Sequence, residues 1–254
     1  MELDIIVILI LTVITFFAGF IDSIAGGGGL IIIPSFLIAG IPPQFALGTN
    51  KFQATLGTSV STINFIHKKK VSLKIVLSGI FFALSGAYIG SRLILSFNSD
   101  IAGKIIVFML PLGVLATLIP RKKVKRSQEF HKLDYFVKIP LICLIIGFYD
   151  GFFGPGTGSF LTLFFYLFMK LNLIEATANA KVFNFVSNLG ALVAFLFSGK
   201  VLFLLALPMA LSNMAGNYFG SHLALKKGDK VIKLFLIIVL VILFVTLIWK
   251  YFLS

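Results

Sequence analysis

The chain has 254 residues, of which 59% are hydrophobic and 12% are charged, and its formal net charge is +13. A water-soluble domain of this length needs far more polar surface, so the composition excludes an ordinary soluble protein and indicates lipid as the main solvent. The positive charge does not indicate nucleic-acid binding, because the basic residues lie in short clusters between apolar runs. Cys143 is the only cysteine, which excludes an internal disulfide and a cysteine-based metal cluster.

Apolar runs follow one another along the whole chain. In order, they are 5–21, 29–41, 73–96, 101–120, 136–149, 157–169, 201–225 and 231–252. Two further stretches, 44–66 and 174–197, are helical in period but rich in small and polar residues, so we expect them to face protein or a cavity. The acidic start, MELD, lacks the positive region of a signal peptide, so we expect the first run to remain in the membrane. The sequence therefore predicts an all-α polytopic membrane protein.

Two of the apolar runs are too short to cross a bilayer. The runs 29–41 and 157–169 have about 13 residues each and would be about 20 Å long, whereas the hydrocarbon core is ~30 Å thick. Each follows a glycine-rich break, GGGG at 26–29 and GPGTG at 154–158. We predict two half-helices, each forming a hairpin with the segment before it. Gly79, by contrast, is an isolated glycine in an apolar run, and we expect it to face lipid.

The two breaks belong to a longer internal repeat. GFIDSIAGGGG, from Gly19, resembles GFYDGFFGPGTG, from Gly147, at an offset of 128 residues, and SGAYIGSRL (85–93) matches AGNYFGSHL (215–223) at an offset of 130. Chance would not easily reproduce Asp, Lys and Tyr in the same order, so we predict two homologous repeats of about five segments. The predicted units are a first membrane repeat over 1–120, a basic linker over 121–135 and a second membrane repeat over 136–254.

The distribution of Lys and Arg predicts how the repeats are oriented. If each hairpin enters the membrane and returns, sixteen basic residues fall on the side of the linker 121–135 and four on the other side. If each hairpin were one broken crossing, the split would be thirteen to seven. The positive-inside rule favours the first arrangement. We therefore expect inverted repeats, a cytoplasmic loop over 121–135 and both termini on the outer side.

A glycine-rich break at membrane depth exposes backbone N–H groups that lipid cannot satisfy, so it must line protein or a water-filled cavity. Helix N-termini carry partial positive charge, so two half-helices directed at one cavity would form an anion site. The alternative is that the glycines only allow close helix packing. The predicted substrate-binding residues combine both breaks with polar residues of the two small-residue helices: Gly26, Gly27, Gly28, Gly29, Thr49, Asn50, Lys51, Gly154, Gly156, Thr157, Gly158, Lys181, Asn184 and Asn188.

Four charged residues lie deep inside predicted membrane segments. Lys51 and Lys181 occupy matched repeat positions, and an ionised lysine there is costly unless it faces water or a partner. Either lysine could attract the substrate anion, pair with an aspartate, or extend to the membrane interface. Asp22 and Asp150 are also matched, and each could cap a glycine loop, form an ion pair or carry a coupled proton. We favour capping or pairing, because a bare carboxylate would repel an anion.

The residues that carry the repeat resemble the TauE/SafE sulfite exporter family of membrane permeases. The matching strings are GFIDSIAGGGGLIIIPSFLIAGIPPQFALGTNKFQA in the first half, and GFYDGFFGPGTGSF and ATANAKVFNFVSNLGAL in the second. The resemblance implies a multi-pass permease of a bacterial inner membrane that moves small sulfur-containing anions such as sulfite or organosulfonates. The second half has Asn-Ala-Lys at 179–181 where the first has Thr-Asn-Lys at 49–51, so the halves are not chemically equivalent.

Other functions could use the same features. An intramembrane aspartyl protease is suggested by the two membrane aspartates and by Tyr149-Asp150, but the Gly-x-Gly-Asp half-motif of that class is absent from the sequence. An anion channel on the same scaffold stays open, and a scaffold without flux is disfavoured by the matched lysines. We expect a secondary transporter that binds small anions between two half-helix N-termini near the membrane centre. We expect the lipid bilayer and the anion as partners, and no enzymatic activity, cofactor, metal or nucleic acid.

Overall fold

The structure, a computed structural model, describes residues 4–118 and 131–226, and within these ranges it contains helices and no strand. The helices are α1 (Ile5–Ala25), α2 (Gly29–Ile38), α3 (Pro43–His67), α4 (Leu73–Ser96), α5 (Ser99–Leu118), α6 (Ile139–Phe152), α7 (Thr157–Leu163), α8 (Leu173–Phe197) and α9 (Phe203–Lys226). A π-helical turn, Asp134–Lys138, precedes α6, and another, Phe164–Phe168, extends α7. The predicted run 231–252 and most of the linker 121–135 lie outside the described residues.

Several helices are long and apolar enough to cross a membrane. Within the described ranges there are five such segments: Ile5–Ala25, Leu73–Ser96, Ser99–Ala116, Asp134–Phe152 and Leu173–Phe197. Large apolar side chains cover the outside of the molecule, with Phe108 78% exposed, Phe197 82% and Leu204 85%. Exposed apolar and buried polar side chains together fit a lipid surrounding, which confirms the prediction of an all-α, multi-pass membrane protein.

The two small-residue stretches form the interior of the bundle. The stretches 44–66 and 174–197 correspond to α3 and α8. Their buried faces carry polar side chains, including Asn50, Lys51 and Gln53 of α3 and Asn184 and Asn188 of α8. Asn172 precedes α8, and its side chain accepts a hydrogen bond from Glu175 N at 2.9 Å and so caps the helix. These helices face protein, as their composition predicted.

The glycine breaks separate long helices from short ones. α1 ends because Gly26 takes a left-handed conformation, φ 78°, and its N–H donates to Asp22 O at 2.8 Å. α2 then starts at Gly29 and has 10 residues. In the second break, Gly154 (φ 98°) and Gly156 (φ 86°) are left-handed, and α7 with its π-helical extension covers Thr157–Phe168. Both short helices are present where the sequence predicted half-helices.

The helices of one repeat pack mainly on helices of the other. α1 lies against α9 as α6 lies against α4, and α3 contacts α9 as α8 contacts α4. The glycines that allow this contact are matched as well: an ideal Cβ on Gly86 would lie 2.3 Å from Leu144 O, and one on Gly216 would lie 2.1 Å from Phe16 O. Many glycines in the chain therefore do serve close packing, as the alternative interpretation of them proposed.

The matched helices α3 and α8 run in opposite directions. The Lys51 ammonium, near the start of α3, donates to Asn188 Oδ1 at 3.0 Å, and the Thr62 hydroxyl, further along α3, donates to Lys181 O at 3.2 Å. The residue number therefore increases along α3 in the direction in which it decreases along α8, so the two helices are antiparallel.

The expectation that Gly79 faces lipid is wrong. Gly79 is buried, and an ideal Cβ there would lie 2.7 Å from Cys143 Sγ and 2.8 Å from the Phe183 ring. The glycine brings α4 against α6 and α8, and the neighbouring sequence of an apolar run does not distinguish a protein-facing position from a lipid-facing one.

Candidate functional site

The two glycine breaks touch each other in the middle of the protein. An ideal Cβ on Gly26 would lie 2.4 Å from Gly158 C, and one on Gly158 would lie 2.7 Å from Gly26 Cα. The Ser159 hydroxyl also donates a hydrogen bond to Ala25 O. The end of α1 is thus in backbone contact with the start of α7, so segments about 130 residues apart in the repeat meet at one point.

A small polar cavity lies where the breaks meet. Its free volume is about 30 Å³, which is space for about two water molecules. Its lining comes from both breaks, from the adjoining helices α1, α2 and α6, and from α3, α8 and α9: Asp22, Gly26, Gly28, Gly29, Ile32, Asn50, Lys51, Gln53, Ala54, Thr58, Asp150, Gly154, Gly156, Thr157, Gly158, Asn184, Asn188 and Asn213. An interior cavity with this many polar groups is unusual in a bundle whose outside is apolar.

Most of the residues proposed from the sequence lie on this cavity, and three do not. In the described part of the chain, the lining leaves out Gly27, Thr49 and Lys181. The Thr49 hydroxyl instead accepts a hydrogen bond from Leu202 N at 3.1 Å, which ties α3 to the start of α9.

Sequence reasoning missed the polar lining residues Gln53, Thr58 and Asn213. The first two follow Asn50 at helical spacing on α3, which was a usable signal. Asn213 lies in an apolar run, and nothing in the sequence shows that it faces the cavity.

Lys51 forms an ion pair with Asp150 across the two repeats. The distance from Lys51 Nζ to Asp150 Oδ1 is 2.8 Å, and both side chains are 2% exposed. The ammonium also donates to Asn188 Oδ1 at 3.0 Å, so two groups of the second repeat hold it. It lies close to the second break, since an ideal Cβ on Gly154 would be 2.9 Å from Nζ.

Lys181 forms the equivalent pair with Asp22, with the repeats exchanged. Its Nζ lies 2.6 Å from Asp22 Oδ2 and 2.5 Å from the Asp22 carbonyl oxygen. The other carboxylate oxygen, Asp22 Oδ1, accepts from Gly28 N at 3.2 Å, so this aspartate caps the first break as well as pairing with a lysine. The lysine of each repeat therefore holds the aspartate of the other.

The two pairs differ in how fully their carboxylates are bonded. Asp22 uses both oxygens, whereas Asp150 Oδ2 is buried and has no hydrogen-bond partner among the described residues. Asp150 lines the cavity together with its lysine, whereas Lys181 lies behind Asp22. The second glycine break has no carboxylate cap, which departs from the expectation that both aspartates could serve as caps.

Amide side chains complete the polar lining. Gln53 Nε2 donates to Asn50 Oδ1 at 2.7 Å, and Gln53 Oε1 is buried without a partner within the described ranges. Asn188 Nδ2 lies 3.5 Å from Asn184 Oδ1, a long contact that leaves its donor available. Within residues 4–118 and 131–226, no group of three His, Cys, Asp or Glu side chains could hold a metal ion. The site can therefore offer an ammonium, amide donors and backbone N–H groups to a small polar ligand.

The known proteins that this chain resembles are all described as exporters or probable membrane transporters. The family model described as sulfite exporter TauE/SafE matches residues 11–247. A probable membrane transporter protein of Sinorhizobium, named ORF9, is 41% identical over 90% of this chain and 87% of its own length. A probable membrane transporter protein of Haemophilus influenzae is 37% identical over 92% and 91%. The probable membrane transporter protein YfcA of Escherichia coli K12 is 39% identical over 91% and 85%.

No solved structure shows a significant match to the chain. The family match covers nearly the whole sequence, and it includes both glycine breaks and both lysine–aspartate pairs. With its apolar helices and its buried polar cavity, the chain is a membrane transporter that belongs to the sulfite exporter TauE/SafE family.

Proposed function

We propose that this transporter is a secondary carrier of small anions, with sulfur oxyanions and organosulfonates as its substrates, in a bacterial inner membrane. The observation that carries the proposal is the cavity between the two glycine breaks, which places Lys51 and the start of both short helices at one buried point. The positive ends of helix dipoles and an ammonium together favour an anion over a cation. The description of the family names sulfite, and we include organosulfonates because they carry a similar sulfur–oxygen anion.

Binding a sulfur oxyanion requires the cavity to open. Its free volume of about 30 Å³ has room for about two water molecules, whereas sulfite has four heavy atoms. The lining comes from both repeats, so a shift of one repeat against the other would enlarge the cavity and connect it to one side of the membrane. Exchange between two such arrangements is the movement expected of a carrier.

We also propose that the repeats are inverted copies, as the charge distribution predicts. The antiparallel course of α3 and α8 supports this, because equivalent helices of inverted copies must point in opposite directions. The exchanged ion pairs and the matched helix contacts support a twofold relation between the copies. Such a scaffold can alternate between two conformations in which the two repeats exchange roles, one open to each side of the membrane.

The substrate proposal is tested by flux into proteoliposomes that contain the purified protein. We expect saturable counterflow of sulfite, thiosulfate or an organosulfonate, and much slower counterflow of acetate and phosphate, because the site is small and offers few donors. The measurement is uptake of each labelled anion against an internal pool of the same anion. If none of the sulfur anions moves, the proposed substrate class is wrong. Flux that grows linearly with concentration would favour a channel on the same scaffold.

The proposed topology is tested by thiol labelling in intact cells. Cys143 is buried and can be replaced by alanine to remove background, after which one cysteine is introduced at Ser127 in the linker or at Asn98 between α4 and α5. We expect an impermeant maleimide added outside to label Asn98→Cys and to leave Ser127→Cys unlabelled until the cells are opened. External labelling of Ser127→Cys would contradict the cytoplasmic linker and the inverted repeat with it.

A further inference from the structure

The matched ion pairs are not equivalent, and the difference points to a role for Asp150. Asp22 is bonded at both carboxylate oxygens, by Lys181 and by Gly28 N. Asp150 is bonded only at Oδ1, by Lys51, and its Oδ2 is buried at the cavity without a partner among the described residues. One aspartate is therefore fixed to the backbone of its own break, and the other has a free acceptor at the place where the anion would bind.

We propose that Asp150 is the proton carrier of the transport cycle, and that Lys51 exchanges Asp150 for the substrate anion. The inference rests on the proposed function. In the empty site Lys51 Nζ donates to Asp150 Oδ1. When an anion enters, Nζ donates to an anion oxygen, and the Asp150 carboxylate binds a proton from the solution on the side from which the anion came. Release on the other side reverses both steps, so one proton travels with each anion.

The charge of the site explains why the proton is needed. Among the described residues, the ionisable groups at the cavity are Lys51 on α3, Asp150 on α6 and Asp22 on α1. Lys181 on α8 is paired with Asp22, and Tyr149 is adjacent to Asp150 in the chain. The two lysines and two aspartates balance, so the empty site is neutral. A monovalent anion alone would leave one unpaired negative charge in an apolar interior, which is strongly unfavourable. A proton on Asp150 restores neutrality and removes the repulsion between the carboxylate and the bound anion.

Asp22 does not suit this role. Its carboxylate is held by Lys181, which lies outside the cavity lining, and by the N–H of Gly28. Protonation there would weaken the cap of the first glycine break and leave Lys181 without its partner. The pair of Asp22 and Lys181 therefore supports the site, whereas the pair of Asp150 and Lys51 opens to the substrate.

The proposed transport cycle is electrically neutral. The empty carrier and the carrier loaded with a monovalent anion and a proton hold the same net charge, so the cycle moves no charge across the membrane. A pH gradient should then drive accumulation of a monovalent sulfonate, and a membrane potential should not. One-to-one coupling limits the accumulation to about tenfold per pH unit.

The experiment uses isethionate, a permanently monovalent sulfonate, and proteoliposomes with wild-type protein or Asp150→Asn. For wild type we expect accumulation under an acid-outside gradient and none under a potassium diffusion potential set with valinomycin. For Asp150→Asn we expect pH-driven accumulation to disappear, with the counterflow rate measured on the same vesicles. Asp100→Asn is the matched control, because Asp100 forms an exposed ion pair with Lys104, with the side chains 69% and 50% exposed, and neither residue lines the cavity. It should behave as wild type.

A second measurement keeps the inference open to refutation if Asp150→Asn inserts poorly. Wild-type protein in weakly buffered detergent solution should take up about one proton for each isethionate that binds, followed with a pH indicator dye. Accumulation driven by potential, no proton uptake on binding, or normal pH-driven accumulation by Asp150→Asn would each overturn the role of Asp150 and leave the proposed function standing. Failure of wild type to exchange any sulfur anion would instead overturn the proposed function, and this inference with it.

Discussion

Replacing Gly26 with alanine is expected to abolish transport and to reduce strongly the amount of protein in the membrane. An ideal Cβ there would lie 2.4 Å from both Gly158 C and Ser159 N, and backbone atoms cannot move away as a flexible side chain could. The residue also has φ 78°, a conformation that alanine adopts only at a cost of about 1–2 kcal/mol. The steric clash and the conformational cost therefore both act on the contact between the two breaks. Flux and membrane abundance, measured on the same preparation, report the result.

Gly40→Ala separates the close contact from the backbone conformation. Gly40 has φ 83°, and an ideal Cβ on it meets nothing within 4 Å. The control therefore carries the same conformational cost without the clash, and we expect nearly normal flux. Equal damage from both variants would show that left-handed backbone alone matters, and the contact between the two breaks would lose its importance.

We expect Gly156→Val, in the second break, to abolish transport as well. Flux and membrane abundance are again the measurements. Gly156 has φ 86°, and an ideal Cβ would lie 2.7 Å from Gly113 Cα on α5. Gly28, at the corresponding place in the first break, has φ −55° and is not left-handed. Gly28 is constrained by its neighbours instead, because an ideal Cβ on it would lie 2.7 Å from Ala18 O. The two positions are therefore similarly crowded, although their backbone conformations differ.

Removing one partner of a buried ion pair is expected to be nearly as damaging. Lys181→Met leaves the Asp22 carboxylate, which is only 15% exposed, without its ammonium. Breaking a buried pair by removing one partner typically costs about 3–5 kcal/mol, and the partial exposure of Asp22 places this change at the lower end. The double variant Lys181→Met with Asp22→Asn removes both charges and should recover a large part of that stability. The measurement is the unfolding midpoint of the purified proteins in detergent, together with their abundance in the membrane.

Lys104→Met is the matched control for the ion pair. Lys104 pairs with Asp100 at 3.0 Å on the surface, with the two side chains 50% and 69% exposed, so its loss should change stability little. If Lys181→Met were as mild as this control, the pair with Asp22 would not hold the protein together. A double variant no more stable than Lys181→Met would mean that the lysine acts through some other contact.

Local sequence was enough to predict the helices and the breaks. The length and hydrophobicity of each run decide whether it can span lipid, and a run of glycines ends a helix wherever it occurs. The small-residue composition of α3 and α8 likewise predicted that they face protein, because lipid does not accept so many polar groups. The repeat in the sequence also showed that Lys51 and Lys181, and Asp22 and Asp150, occupy matched positions in the two halves.

Only the tertiary structure decided which of these groups meet. The lysine of each repeat pairs with the aspartate of the other, and Asp150 alone of the two aspartates keeps a free oxygen at the cavity. Periodicity shows which face of a helix is polar or apolar, but it does not show which helix covers that face. For the same reason Gly79 was wrongly expected to face lipid, and Asn213 was missed. Helix formation depends on neighbouring residues, whereas the site depends on contacts between segments far apart in the chain, and those are set by how the two repeats pack.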